Sequence, residues 1–445
     1  MVAQASILEK RGDVEGALQL YRNQMEKHPF QDMILYNLGV LEDKRGSMDQ
    51  AVAYFEKALA VNSANIPALL ALQVMRFRVG RLDESQELVL QILHKYPTEI
   101  PLAHHNLGAI LEAKGDFIGA EKAFLTAISL NPNYVPSHYG LAFVYGRSGD
   151  LQRCWKKMLD AFCRKSPACP NKGIPWWKGE DITGKSIVVY PNGGIGDYFQ
   201  FFRYLEILSE KNVTIFLEGY PRSLMGDLLL RSLPKNIGMY TPEQSFDFPC
   251  LISHLGILCN TTLDTIPIKI PYLQPHPYKV NDWKKYFSKY KSYKVGLVWK
   301  GDPQRMNDQY RSMSLVDFSP FSNIKNCTFY GLQKNNTEVA PEGLPFVDLS
   351  SKLHTFDDTA AIISCLDLVI GVDTAVIHLA GALGKPVWTL IGFCSDYRWM
   401  LQREDTPWYP TMRIFRSKGI YEWKEVVASI QRCLEVEVAS KGSYF

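Results

Sequence analysis

Gly371-Val-Asp-Thr-Ala-Val-Ile-His-Leu-Ala-Gly-Ala-Leu-Gly-Lys-Pro386 decides the fold of the C-terminal half. The apolar run 366–371 leads into it and 387–391 leads out of it. Between them, Asp373 and Thr374 open a stretch of helical period over 374–383, and Gly384 ends it before Lys385-Pro386. An apolar strand, a helix and a second apolar strand make a unit of a parallel sheet covered on both faces.

The same alternation extends backwards. Lys294-Val-Gly-Leu-Val-Trp299 and 327–332 read as strands of the same sheet. Ser186-Ile-Val-Val-Tyr190 starts an earlier unit, followed by Pro191-Asn-Gly-Gly-Ile-Gly196, a helix over 197–210 and a strand over 213–218. Two doubly wound halves result, 184–290 and 291–437, with 438–445 as a tail. They read as paired Rossmann-like domains facing one cleft, with ligands beyond the carboxyl ends of the strands.

Before Gly184 the pattern is different. From Ser166 to Gly184 the helical pattern breaks at Pro167, Pro170, Gly173, Pro175, Gly179 and Gly184, which sets a linker over 169–183, where Trp176-Trp177 predict a stiff junction. Upstream, Gly12, Gly46, Gly80, Gly115 and Gly149 recur at intervals of 34, 34, 35 and 34 residues. Five positions after each stands a small residue (Ala17, Ala51, Ser85, Ala120, Cys154), and four further on a larger apolar one (Tyr21, Phe55, Val89, Phe124, Met158). Each glycine supplies the φ > 0 turn between helices, and Asp13, Ser47, Asp116 and Asp150 stand at the following N-cap. The small residues let antiparallel helices approach, opposite Leu38-Gly39 and Leu107-Gly108, while Pro29, Pro97 and Pro132 stop the second helices. In spacing and residue type, residues 1–168 resemble the tetratricopeptide repeat, about five repeats with a shortened first helix. Such arrays form a superhelix whose groove binds a peptide or protein, or brace and oligomerise the chain.

Net charge is +3, from 49 Lys and Arg against 46 Asp and Glu, so charge alone drives no nucleic-acid or membrane-surface role. No apolar run reaches the ~18 residues of a membrane span, and residues 1–11 carry no apolar signal segment. The nine cysteines fall at no metal-ligand spacing. The expectation is a cytoplasmic protein without a metal or disulfides.

The run 371–386 resembles the donor-binding segment of heptosyltransferase-like glycosyltransferases, and Gly194-Ile-Gly-Asp197 is similar to that family's N-terminal Gly-x-Gly-Asp loop. Thr261-Thr-Leu-Asp-Thr-Ile-Pro267, residues 307–312, 396–399 and Arg403-Glu-Asp-Thr-Pro-Trp-Tyr-Pro410 are similar to bacterial members fused to repeats. The resemblance spans about 184–420. It implies a GT-B fold and glycosyl transfer from a nucleotide-diphosphate sugar as co-substrate, with no bound metal and no other cofactor. True heptosyltransferases have no repeat array, so heptose and lipopolysaccharide are not implied.

Glycosyl transfer needs an anchor for the diphosphate, a cation as it leaves, and a base. Asp373, Thr374 and Ala375 open a helix after a buried strand, where free N–H groups and the dipole favour phosphate. Asp373 would cap the helix or accept from a hydroxyl. Arg311 is the expected cation, with Lys300 as the second candidate. The resemblance makes Asp197, at the tip of the loop with Gly193, Gly194 and Gly196, the base; its bland alternative is a helix cap. A carboxylate activating a hydroxyl for in-line attack gives inversion. His378, one turn after Thr374, would touch the donor or pack in the core. Asp396, Arg398 and Trp399 would close over the donor or form a packed salt-bridged loop. The repeat array would select a protein or glycan acceptor, or assemble the chain into a homo-oligomer. The rival reading is a repeat scaffold with a binding but non-catalytic module. A dehydrogenase fits poorly, because Gly193-Gly194-x-Gly196 lacks the GxGxxG spacing.

Overall fold

The computed structural model describes residues 2–28, 31–165, 173–303, 308, 311–393, 395–401, 403–419 and 422–442. It forms two compact units, Met1–Val144 and Tyr145–Phe445.

The first unit consists of helical hairpins: α1 (Val2–Lys10), α2 (Val14–Lys27), α3 (Asp32–Lys44), α4 (Met48–Val61), α5 (Ile66–Arg78), α6 (Leu82–Lys95), α7 (Pro101–Ala113), α8 (Phe117–Leu130) and most of α9 (Val135–Arg147). The glycine period is the turn period. Gly12, Gly46, Gly80 and Gly115 all have φ between +80° and +84°, a region that L side chains avoid. Asp13 and Asp116 cap the next helix by accepting from Gly16 and Gly119. Ser47 holds the N-cap position but makes no side-chain cap bond. Ala17, Ala51, Ser85 and Ala120 are fully buried. A Cβ on Gly39 would come within 2.5 Å of the Phe55 ring, and Cβ atoms on Gly108 and Gly140 within 2.8 and 2.5 Å of Phe124. Glycine there seats the large residue of the repeat. Pro29 lies outside the described residues.

Helical repeats run to α10 (Leu151–Lys165), as the spacing predicts. The compact array nevertheless ends at Val144, not at 168. The reason is aromatic. Trp155 is buried against Phe201 and Trp408, with ring centroids 6.4 and 6.2 Å away, and Gly256 leaves room for its ring. Phe162 packs edge-on against Trp176 and His254. These contacts place α10 in the second unit. Residues 166–172, which include the start of the linker, lie outside the described residues. Trp177 is buried, its N–H donating to the Pro249 carbonyl at 2.9 Å.

The second unit holds two parallel sheets. The first contains β1 (Ser186–Tyr190), β2 (Thr214–Leu217), β3 (Gly238–Met239) and β4 (Phe248–Leu251), in the order β3-β2-β1-β4. Around it lie α11 (Ile195–Phe202), α12 (Tyr204–Ser209), α13 (Arg222–Met225), α14 (Leu228–Ser232), α15 (Leu255–Leu258) and α16 (Pro277–Phe287). The second contains β5 (Tyr293–Val298), β6 (Cys327–Gly331), β7 (Phe346–Asp348), β8 (Leu368–Val372), β9 (Val387–Ile391) and β10 (Met412–Arg416). Its helices are α17 (Phe356–Ile363), α18 (Ala375–Ala382) and α19 (Trp423–Gly442). The order β10-β9-β8-β5-β6-β7 is doubly wound, with its reversal between β5 and β8.

Two boundaries differ from the sequence reading. The helix expected over 197–210 is interrupted at Arg203. This buried side chain turns inward, and its Nε donates to the Gln200 carbonyl, competing with the N–H four residues on. Its Nη1 donates to the carbonyls of Pro267 and Trp408. The tail expected over 438–445 is helical to Gly442, because Val438 continues the stripe Val427, Ile430, Leu434 that buries α19 against the C-terminal core.

Candidate active site

The loop after β1 is built around Asp197. Gly193 has φ +72°, and a Cβ on it would fall 2.3 Å from Asp197 Oδ2. Asp197 stands at the third position of α11, and its Oδ2 accepts from the Gly194 N–H at 2.5 Å. Its Oδ1 is ion-paired with Arg398 Nη2. Asn192 ties the loop to Ser253 through both amide atoms.

The loop after β8 is built differently. Thr374 is the N-cap of α18 without a side-chain cap bond, and α18 has no acidic residue in its first turn. The Thr374 Oγ1 is buried and finds no partner among the described residues. Buried hydroxyls are normally satisfied. Asp373 points aside: Oδ2 accepts from Trp399 Nε1 at 2.8 Å, and Oδ1 lies 3.4 Å from His378 Nε2.

These two loops meet. A Cβ on Gly196 would come within 2.7 Å of His378 Cδ2 and 3.5 Å of Ala375 Cα. Two helix N-termini, one from each sheet, therefore abut at a glycine. The loops that carry residues 197 and 374 are brought together there.

Of the two candidate cations, only Arg311 is there. Its Nη1 donates to the Asp373 carbonyl at 3.0 Å, and Asp308 holds its Nε at 2.9 Å. A Cβ on Gly301 would fall 2.4 Å from Arg311 Nη2, so the glycine clears the path of the guanidinium. The loops after β5 and β8 flank the strand-order reversal, where open α/β sheets bind ligands. Lys300 is half exposed and turned to Glu338, whose carboxylate also accepts from Ser314 and Leu315.

Arg398 is the residue that the sequence left least defined. It is buried, and its guanidinium reaches Asp197, Asp396 (Nε to Oδ1, 2.9 Å) and Gln200 (Nη1 to Oε1, 2.6 Å). The segment 396–399 is thus the packed salt-bridged loop of the two alternatives. Trp399 beside it stacks on His378, with centroids 5.4 Å apart. Only the cluster of an acid, a base and two aromatics in Asp396-Tyr-Arg-Trp399 hinted at this role.

Electrostatics follow from these contacts. Burial raises the Asp197 carboxyl, but the Arg398 charge and the Gly194 N–H outweigh it and hold the group below the usual carboxylate value. Burial acts likewise on Asp373, and is overcome by His378, Arg398 and Trp399, so this carboxyl lies well below that range. Burial lowers His378, more than the carboxylates of Asp373 and Asp197 raise it. The imidazole is neutral at pH 7. Its Nε2 then donates to Asp373, and Nδ1 accepts from the Tyr409 hydroxyl at 2.9 Å. His378 is therefore a satisfied buried histidine that orients Asp373.

Two parallel sheets whose glycine and Asp-Thr loops meet form an α/β module consistent with a GT-B fold. Residues 331–431 match the family model "Glycosyltransferase family 9 (heptosyltransferase)". Residues 2–66, 101–134 and 123–156 match tetratricopeptide repeat models. The chain carries tetratricopeptide repeats and a glycosyltransferase family 9 domain, the make-up of a glycosyltransferase with a repeat region. The family 9 match includes Asp373, Thr374, His378 and Arg398, and begins after Arg311.

Protein FlbA of Caulobacter vibrioides (strain ATCC 19089 / CIP 103742 / CB 15) is 23% identical over 504 residues, covering 97% of this chain and 83% of its own length. Human tetratricopeptide repeat protein 7B is 30% identical over 105 residues, covering 23% of this chain and 12% of that protein. Among solved structures, MamA 41-end from Desulfovibrio magneticus RS-1 is similar at 18% identity and a TM-score of 0.33, covering 36% of this chain and 90% of that one. No helix among the described residues is long and apolar enough to cross a membrane.

Proposed function

We propose that this chain is an inverting, metal-independent glycosyltransferase of the cytoplasm. It moves a sugar from a nucleoside diphosphate to a protein or glycan acceptor selected by its repeat array. The observation that carries this reading is the unpartnered, buried Thr374 hydroxyl at the open end of α18. A diphosphate seated there takes that hydroxyl and the N–H groups of Ala375 and Val376, with the helix dipole behind them.

Arg311, held by Asp308 at the edge of the same loop, neutralises the diphosphate as it leaves. Asp197 accepts the acceptor's proton. It is ionised at neutral pH, and its basicity is set by Arg398, which it shares with Asp396. When the guanidinium leans toward Asp396, the proton affinity of Asp197 rises. Gln200, bound to the same guanidinium, fixes its plane.

A second reading is favoured by the Asp197 contacts: a carboxylate that caps its own helix and pairs with an arginine serves structure alone, and the module binds the donor without turnover. The two separate in one experiment. Nucleotide-diphosphate sugars are screened by thermal shift and by isotope transfer to cell extract. Asp197→Asn must then abolish transfer while leaving donor binding intact. Normal transfer by that variant would refute the assignment of the base, and no nucleotide response in the parent chain would remove the donor site itself.

A further inference from the structure

The opposite end of the C-terminal sheet holds a cavity lined by lysines. Lys284, Lys291 and Lys294 line a cavity of about 590 Å³ together with Ser288, Ser364 and Cys365. It lies at the amino ends of β5 and β8, whereas Arg311 and Thr374 lie beyond the carboxyl ends. No carboxylate lines it. Lys385 stands behind the wall, its Nζ donating to the Ser364 carbonyl at 3.3 Å. Both Lys284 and Lys385 are close enough to Cys365 to act on its thiol.

A count of charge shows the imbalance. Three ammonium groups line this place, and Asp367 compensates one, 3.8 Å from Lys294 Nζ. Ser288 and Ser364 are the C-caps of α16 and α17, so two helix C-termini add roughly half a negative charge each. A surplus of about one positive charge is left, which an anionic phosphate group would neutralise. Capping of helix carbonyls accounts for Lys385. It does not account for Lys284 and Lys291, which have no carboxylate partner among the described residues, whereas Lys294 is held by Asp367 and the Ser292 carbonyl. Burial lowers the Lys385 ammonium, and a bound anion would reverse that loss. Exposed Tyr290, at the rim, offers an apolar face to the body of such a molecule.

The geometry points to a binding site for a small phosphate monoester, such as a sugar phosphate, between the Lys284–Lys291 segment and the start of β8. It is separate from the donor crevice and independent of its chemistry. The volume suits a ligand of that size.

The test is lysine footprinting of the full chain with an amine-reactive ester, mapped by mass spectrometry. The probes are glucose 6-phosphate, inorganic phosphate, glucose, and sodium chloride at matched ionic strength. Labelling of Lys284 and Lys291 is expected to slow by the factor 1 + [L]/Kd, about tenfold at ten times Kd. Protection by both phosphates means that the phosphate group suffices; protection by glucose 6-phosphate alone means that the ester is read, and either result supports the site. No protection, or equal protection by glucose or salt, overturns it. Lys284→Gln combined with Lys291→Gln, two exposed positions, should lose the glucose 6-phosphate thermal shift while keeping any response to nucleotide. Retention of the glucose 6-phosphate shift in that variant also overturns the proposal.

Discussion

The loops after β1 and β8 have the same grammar, a buried strand, a tight turn and an eight-residue helix, and they use it in opposite ways. At α11 the chain's own carboxylate occupies the helix start, with Asp197 bonded to the Gly194 N–H. At α18 the carboxylate lies one residue before the cap and is pulled sideways by Trp399 and His378. The first N-terminus is closed to anions and the second is open. Asp-to-cap spacing thus decides which of two similar turns can receive a phosphate.

The sharpest way to break this comparison is at the closed end. Asp197→Asn keeps a side chain of the same shape while removing the base, and kcat is expected to fall about 10²- to 10⁴-fold. The donor Kd, read by calorimetry, should stay unchanged. A parallel rise in Kd would mean that the two loops act as one binding surface.

Arg398→Ala comes next. It strands the part-buried charges of Asp197 and Asp396, and since loss of one partner of a fully buried pair costs about 3–5 kcal/mol, a loss of about 2 kcal/mol is expected. Urea unfolding should register that loss. Arg398→Ala combined with Asp197→Asn should recover part of it, because one unpaired charge is gone. A single variant as stable as the parent would show that the pair contributes nothing to the closed loop.

Thr374→Val tests the open end. Removing a hydrogen bond to a charged phosphate should weaken donor binding about tenfold, from ~1.5 kcal/mol. The ligand-free protein should be no less stable than the parent, since the buried hydroxyl has no partner to lose. A fall in its Tm would reveal a structural bond at Thr374 instead.

The smallest effect is on the acid limb. Asp197 and Asp373 are both held below the ordinary carboxylate value. A depressed carboxyl stabilises the fold above its unfolded value, about 4, and that contribution is lost as pH falls through the folded value. Tm should therefore decline below about pH 4 and decline less steeply in Asp373→Asn. An identical slope in both would remove Asp373 from the set of charges that hold the open loop in place.

Sequence alone showed the array because each requirement is local: a glycine at φ > 0, then a small residue and a large one at fixed offsets. It showed the strands for the same reason, since 186–190 and 387–391 are apolar runs bounded by turn residues. The pairing of Asp197 with Arg398 is of another kind. The two are 201 residues apart, and no spacing rule connects a loop of one sheet to a segment after the other. Asp197 could be read as a base or as a cap from its own loop, but the arginine that holds it could not be read at all. Arg203 was invisible for a related reason. A buried arginine satisfied by three carbonyls and the Tyr272 hydroxyl leaves no charge pattern in the chain. Lys300 and Arg311 follow the same strand, and what separates them is Glu338 in another loop.

The Trp155 ring bears on how the molecule can be cut. Its Nε1 donates to the Tyr397 hydroxyl at 3.3 Å, and Tyr397 is the immediate neighbour of Arg398. A fragment begun at Gly184, where the composition changes, would lack that indole and leave an open slot beside Gly256, Phe201 and Trp408. Shortening the chain to its apparent enzyme would therefore unsettle the arginine that governs Asp197, and the smallest fragment worth expressing starts ahead of α9.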